Sequence, residues 1–277
     1  MKKVGKRCRK REMTDIFIAD EALLLPRTCT GRELVLKQGG VHMWRAGLEI
    51  DESLIAYYFQ ILSPDEVIRA ERYYSMKDKR HFIAARGMLR HLLGRYLNLK
   101  QNEICFSYGA YGKPFIAGDQ NPEGLCFNVS HSHGLSVIAI GHGIETGVDI
   151  EMIRSDIDIM EIAGTFFPHA EAMRLRSMTE AGRAAAFFQY WTRKEAYLKA
   201  IGRGLSVDLK EIDVFNGPAA FLDSSDLHGV ICRWSLFEST QTAGYACALV
   251  TKGEPASLEY FDYPDLRVLQ GSNNNSF

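Results

Sequence analysis

Short stretches of this chain alternate apolar and polar residues with a period of two, while longer stretches repeat them at spacings of three and four. Val41-His42-Met43-Trp44 has the alternation of a strand. Ser63-Pro64-Asp65-Glu66 opens a helix, with a capping serine, a proline in the first turn and an acid three residues after the cap. A second helix is expected over about Asp78–Leu97, where Phe82, Ala85, Leu89, Leu92, Leu93 and Tyr96 share a face. Strands are expected over Glu103–Tyr108, after the Tyr111–Phe115 turn, and over Cys126–Ser130. Leu135–Ile140 turns through Gly141-His142-Gly143 and returns as Glu145–Glu151, the pattern of a hairpin. Helical spacing then runs through Ala170–Met178 and Ala181–Ile201, broken near Thr179 and closed by Gly202-Arg203-Gly204. Strand patterns resume at Glu211–Phe215, Val230–Phe237 and Tyr245–Val250.

The order of elements describes an α+β chain of two halves, each a leading strand, a helical segment and then several strands. The first spans residues 41–145 and the second 146–252. Residues 1–40 form an N-terminal extension that the pattern leaves undefined, and 253–277 a C-terminal tail, polar at Gly271–Ser276 and partly disordered. A cleft between two halves is a usual place for a ligand.

Two segments carry candidate chemistry. In Gly147-Val148-Asp149-Ile150-Glu151 the strand period puts Asp149 and Glu151 on one face and Val148 and Ile150 on the other. Two neighbouring carboxylates repel unless a cation lies between them, and oxygen ligands suit a hard ion such as magnesium. A solvated strand face carrying two acids fits the same pattern. Phe187, Phe188, Trp191, Glu195, Leu198 and Lys199 lie on one helical stripe, so Glu195 is in line with large apolar groups. An acid there must be paired or bind a metal. A Glu195–Lys199 helix pair, worth a few tenths of a kcal/mol, also satisfies it. Arg193 and Lys194, on the flanking face, are expected in solvent.

Composition narrows the class. A formal charge of −1 argues against a general nucleic-acid binder. Six scattered cysteines without a C-x-x-C pair suit reduced thiols in the cytoplasm. No apolar run reaches the roughly 20 residues of a membrane span, and the basic start, Met1–Arg11, has no apolar stretch behind it. His131 and His133 invite zinc but lack a third ligand at a suitable spacing; Gly-x-Ser-x-Gly does not occur. Arg69, Arg72, Arg80, Arg86 and Arg90 stud the helical segment of the first half, either as a solvated basic face or as a group that meets phosphate.

Four stretches in order, Tyr111-Gly112-Lys113-Pro114, Phe127-Asn128-Val129-Ser130-His131-Ser132, Gly147–Glu151 and Trp191–Ala200, together resemble the Sfp-type 4′-phosphopantetheinyl transferases. The likeness covers roughly residues 41–252 and includes Phe166-Phe167 and Gly202-x-Gly204-Leu205-Ser206. It implies a pseudo-dimer of two similar α+β halves, with the active site between them and coenzyme A in the cleft. It also implies a cytoplasmic, monomeric enzyme of the holo-[acyl-carrier-protein] synthase type. Such an enzyme transfers the phosphopantetheine arm to a serine of an apo acyl or peptidyl carrier protein and releases adenosine 3′,5′-bisphosphate. Neither nucleic acid nor membrane is a partner.

Position by position, the resemblance makes Asp149, Glu151 and Glu195 the Mg2+ ligands and Lys199 the lysine near the leaving phosphate. Lys113, Ser130 and His131 become contacts to the 3′-phosphate and ribose of coenzyme A. Arg69, Arg80 and His81 fall where the family places basic side chains for the adenylate, although Glu66 stands where some members have a basic residue. Glu195 or Glu151 takes the serine proton. A magnesium-dependent phosphodiester hydrolase acting on a CoA-like nucleotide would use the same acids, and a non-catalytic relative would only bind carriers.

Overall fold

A computed structural model describes residues 27–28, 34–212, 214, 224–225, 231–239 and 242–263. The expectations for Met1–Arg11 and Gly271–Ser276 lie outside these residues. The elements are β1 (Arg27–Thr28), β2 (Gly40–Gly47), α1 (Glu52–Gln60), α2 (Pro64–Glu71), α3 (Met76–Leu97), β3 (Phe106–Tyr108), β4 (Pro114–Ile116), β5 (Leu125–Ser132), β6 (Leu135–His142) and β7 (Thr146–Met152). They continue as α4 (Ile159–Phe166), α5 (His169–Arg176), α6 (Glu180–Ile201), β8 (Ser224–Ser225), β9 (Ile231–Cys232), β10 (Trp234–Glu238), β11 (Tyr245–Lys252) and β12 (Ser257–Asp262).

Local chemistry sets the ends of the helices. The Glu66 carboxylate accepts from the Ser63 amide at the start of α2 (3.0 Å), as the capping pattern requires. Ser75 caps α3, which stops at Asn98 in the left-handed region. Thr179 caps α6, and Gly202, at φ 67°, ends it.

Two sheets lie back to back between outer helices. The first has the order β1-β12-β2-β6-β5 and the second β10-β11-β7. Trp44, Ile138 and Ile140 of the first sheet pack with Tyr58, Leu89, Leu92 and Leu93 of α1 and α3. Its opposite face offers Val41, Met43, Val137 and Ala139 to Val148, Ile150, Cys247 and Leu249 of the second sheet. The outer face of the second sheet, with Ala246, Ala248 and Val250, packs on α6 through Ala196, Tyr197 and Ala200. Strand alternation therefore turns Gly147, Asp149 and Glu151 toward α6.

Several expectations need correction. β6 and β7 do not form a hairpin: β6 is already flanked by β2 and β5, and β7 pairs with β11 in the other sheet. Gly143, at φ 67°, lies where the chain leaves one sheet for the next. Of the strand expected over Glu211–Phe215, Glu211 instead closes the 3-10 turn Leu209–Glu211, and Phe215 lies outside the described residues. Arg193 and Lys194 are not solvated; both are buried. Arg193 grips the Glu238 carboxylate with two N–H donors, each at 2.9 Å, and donates to the Val214 carbonyl. Lys194 pairs with Glu171 (3.0 Å) and donates to the Leu209 and Ile212 carbonyls. Of the 253–277 tail, Ser257–Asp262 is a strand lying parallel to β2.

The seam between β2, α3 and β12 encloses two histidines, His42 buried and His91 half-buried. The Trp44 indole donates to the Tyr96 hydroxyl (3.0 Å), which shares a 2.6 Å hydrogen bond with His42 Nδ1. His91 Nδ1 meets the Tyr263 hydroxyl. Burial pushes both imidazoles down to about 4, outweighing for His42 the Glu259 carboxylate 3.7 Å away. The unfolded chain takes up these protons near pH 6.5, so stability is lost as pH falls from there and levels off below about 4. Each histidine contributes on the order of 3 kcal/mol to that loss. His42→Asn should cut the fall in unfolding free energy between pH 6.5 and 4.5 by roughly half. An unchanged slope in denaturant melts would remove His42 from the effect.

Candidate active site

The site begins where β7 crosses α6 at Gly147. A methyl group there would run into the Ala196 carbonyl oxygen and the Ala200 amide nitrogen, and would stand 2.7 Å from Ala200 Cα. Glycine on the strand and alanines one turn apart on the helix permit this approach. Their neighbours in sequence are the charged residues: Asp149 on β7, and Glu195 and Lys199 on α6.

Among the described residues no strand pairs with the other edge of β7. β5 covers it with alternate side chains. Asn128 Oδ1 accepts from the Val148 amide (2.9 Å) and Ser132 Oγ accepts from the Met152 amide (3.2 Å). Between them, Ser130 donates to Asp149 Oδ1 (2.7 Å), and Ser132 donates to Glu151 Oε2 (2.7 Å). Buried strand amides need partners, and here side chains supply them while aiming two carboxylates. Asn128 and Ser132 were not among the expected site residues. Their signal was the period-two run Asn128-x-Ser130-x-Ser132, polar on the face that turns to β7.

Lys199 completes the contact from the helix. Its ammonium donates to Asp149 Oδ1 (2.6 Å) and to Ser130 Oγ (2.9 Å). Burial, then the charge of Asp149, raises the Glu195 carboxyl above its usual range; Lys199 opposes this and Glu151 adds to it. Burial raises Glu151 as well, with the Ser132 hydrogen bond opposing and Asp149 adding. Three acids thus share one neighbourhood with one lysine.

Among the described residues, no three His, Cys, Asp or Glu side chains are already gathered as a metal cage. Asp149 Oδ1 and Glu151 Oε2 are each taken by hydroxyl or ammonium donors. The donor set nevertheless fits a hard cation. Asp149 Oδ2 is buried without a hydrogen-bond partner, and both nearby glutamates are raised first by burial and then by the charge of Asp149.

The remaining expected residues divide into two groups. His131 reaches solvent, yet the protein crowding it disfavours its charged form, and Lys199, His81 and Arg69 lower it further. His131 thus stands among Lys199, His81 and Arg69, with Arg69 also lying over the Phe82 ring (5.2 Å). Others are engaged elsewhere. Arg80 pairs with Glu52 and donates to the Ile50 carbonyl (2.9 Å), and His81 Nε2 lies 2.9 Å from Glu49. Lys113 donates to the Ala200 carbonyl (2.8 Å), the Thr146 carbonyl (3.1 Å) and Glu145 (3.2 Å). Glu66 is buried and binds Arg90 (2.6 Å) and Arg86 (3.3 Å), so those two arginines are anchored from within.

Comparison with known proteins assigns the chain. Residues 145–250 match the family model described as the 4′-phosphopantetheinyl transferase superfamily, and residues 50–142 match that of the 4′-phosphopantetheinyl transferase N-terminal region. The 4′-phosphopantetheinyl transferase HetI of Nostoc sp. is 38% identical over 83% of this chain and 95% of its own length. The chain belongs to the 4′-phosphopantetheinyl transferase superfamily. Other members are more distant. The transferase gsp of Aneurinibacillus migulanus is 31% identical over 72% of this chain and 80% of its own. Sfp of Bacillus subtilis is 29% identical over 57% and 67%. A solved structure, Thermotoga maritima holo-[acyl-carrier-protein] synthase, overlaps 39% of this chain and 61% of its own at 18% identity. Its TM-score is 0.27. In this phosphopantetheinyl transferase the two family matches meet at the Gly143 turn, where the chain passes from the first sheet to the second.

If the crossing at Gly147 sets the site, Gly147→Ala should cost about 3 kcal/mol or more, because the clash is with backbone that cannot rotate away. Chemical denaturation measures this; a cost under about 1 kcal/mol would mean the strand and helix are not so tightly apposed.

Proposed function

We propose that this transferase moves the 4′-phosphopantetheine arm of coenzyme A onto a serine of an apo acyl or peptidyl carrier protein. The observation that carries this reading is the meeting of Glu195 and Lys199 from α6 with Asp149 and Glu151 from β7, with His131 in the fields of Lys199, His81 and Arg69. A surplus of acid beside a cluster of bases suits a substrate with both a metal-binding diphosphate and a further phosphate. The two sheets with their outer helices support a pseudo-dimer of α+β halves, residues 41–145 and 146–252, with this site between them. Among the described residues no helix is long and apolar enough to cross a membrane; a cytoplasmic location and a monomeric state belong to the same proposal.

Asp149, Glu151 and Glu195 are the residues to hold magnesium, which when bound supplies charge neutralisation at the diphosphate. In the transfer, the carrier serine oxygen forms a bond to the phosphorus that bears the pantetheine arm. The bond from that phosphorus to the bridging oxygen breaks, releasing adenosine 3′,5′-bisphosphate. The serine proton goes to a carboxylate. Glu151 and Glu195, raised by burial, suit that task better than a solvated acid. Lys199, a compact charge on a flexible four-carbon stem, stabilises the departing phosphate. Arg69 and His131 face the 3′-phosphate, whose negative charge would offset the crowding that keeps His131 neutral.

Incubation with coenzyme A and an apo carrier, read by mass, should show carrier-dependent gain of the arm with release of the bisphosphate. Release without any carrier would favour a hydrolase instead. Asp149→Asn and Glu195→Gln should each lower transfer by at least about a hundredfold with melting little changed. Wild-type rates in both would remove the acids from the chemistry. His131→Ala should weaken coenzyme A by on the order of tenfold but leave 3′-dephospho-coenzyme A nearly unaffected. Equal losses for the two would exclude His131 from the 3′-phosphate.

A further inference from the structure

Lys113 leaves the β3–β4 turn and points at the crossing of β7 and α6. An ammonium has three N–H donors and no acceptor. Here all three have protein oxygens: Ala200 O in the last turn of α6 (2.8 Å), Thr146 O at the first residue of β7 (3.1 Å) and Glu145 Oε2 (3.2 Å). Its aliphatic stem closes over Gly202, the residue that ends α6. A methyl group on Gly202 would lie 3.2 Å from Lys113 Cδ. The turn that presents it is tight, with Gly112 at φ 81° and the Gly109 amide donating to the Lys113 carbonyl (2.9 Å).

These contacts fall at a mechanically important place. The last carbonyls of a helix lack partners within the helix, and a cation there also favours the helix dipole. Ala200, whose carbonyl Lys113 holds, directly follows Lys199 and is itself one of the two alanines against Gly147. Thr146 directly precedes Gly147. One side chain from the first half thus binds both members of the closest strand–helix approach in the second.

We infer that Lys113 is a positioning residue. It pins the end of α6 to the start of β7, so that Lys199 and Glu195 stay aimed at Asp149, and it does not bind the phosphate of the nucleotide. The inference rests on the transferase reading above and concerns which step Lys113 serves. An ammonium saturated by three protein oxygens has no donor left for a ligand, and withdrawing the one on Ala200 O would release the helix end that carries Lys199.

The test is steady-state transfer to an apo carrier by the full chain, with thermal unfolding measured alongside. Wild-type enzyme is assayed first; absence of carrier-dependent transfer would overturn the transferase reading itself, separately from this inference. With wild type active, Lys113→Met should lower kcat by on the order of tenfold or more. KM for coenzyme A should stay within about twofold, and the preference over 3′-dephospho-coenzyme A should be unchanged. Lys113→Arg, which keeps a long cation for the two carbonyls, should recover most of kcat. A raised KM with kcat intact, and a lost preference for the 3′-phosphate, would make Lys113 a ligand contact and overturn the inference. Unchanged kcat and KM with a lowered melting temperature would make the pin merely structural and overturn it too. Should Lys113→Met fail to fold, Lys113→Gln, which retains donors for Ala200 O, is judged by the same split between kcat and KM.

Discussion

The near-contact of β7 and α6 at Gly147 is the constraint on which the site depends. A strand and a helix normally keep a side-chain layer between them. Here that layer is absent at one point, because glycine faces the Ala196–Ala200 stretch. The consequence is electrostatic as much as steric. Bringing the backbones together brings Asp149 within 2.6 Å of the Lys199 ammonium and puts Glu195 in the fields of both Asp149 and Glu151. At larger separations solvent would enter and weaken each of these couplings.

Such a crowd of charges is expensive to bury unless every member is answered. The protein answers most of them with polar side chains from the neighbouring sheet. Ser130 and Ser132 each hold one carboxylate oxygen, Asn128 and Ser132 satisfy the bare edge of β7, and Lys199 takes the shared oxygen of Asp149. What is left over, Asp149 Oδ2 and two glutamates held above their usual range, is the part of the site that suits a cation. The far side of the second core shows the contrasting solution. Lys194–Glu171 and Arg193–Glu238 are paired and backed by carbonyls from the chain between α6 and β10, the arrangement of structural ion pairs.

How much of this was legible in the sequence follows from how local each signal is. The period-two Val148/Ile150 against Asp149/Glu151 and the stripe through Glu195 are local, and the strand and helix they describe are present. So are the helix start at Ser63, the break near Thr179 and the glycine stop at Gly202. The burial of Arg193 and Lys194 was not legible, since their partners Glu238 and Glu171 lie tens of residues away and neither carries a pattern of its own. Pairing of β7 with β11 in place of β6 is likewise long-range: a glycine turn is compatible with a hairpin, and only the occupied edges of β6 forbid it. α1 escaped notice because Leu54–Phe59 is an almost unbroken apolar run in which no single period stands out. For Lys113 the motif located the residue, but nothing in the sequence foretold the carbonyl contacts that occupy its ammonium.

The central claim is that acids from two distant segments, β7 and α6, converge on one cation. Manganese binding, followed by the loss of the free-ion paramagnetic signal in the presence of coenzyme A, tests this most directly. The account predicts one tight site in the wild-type chain, weakened at least about tenfold by Asp149→Asn and by Glu195→Gln alike. Manganese held by Glu195→Gln as tightly as by wild type would contradict it, because α6 would then contribute nothing to the ion.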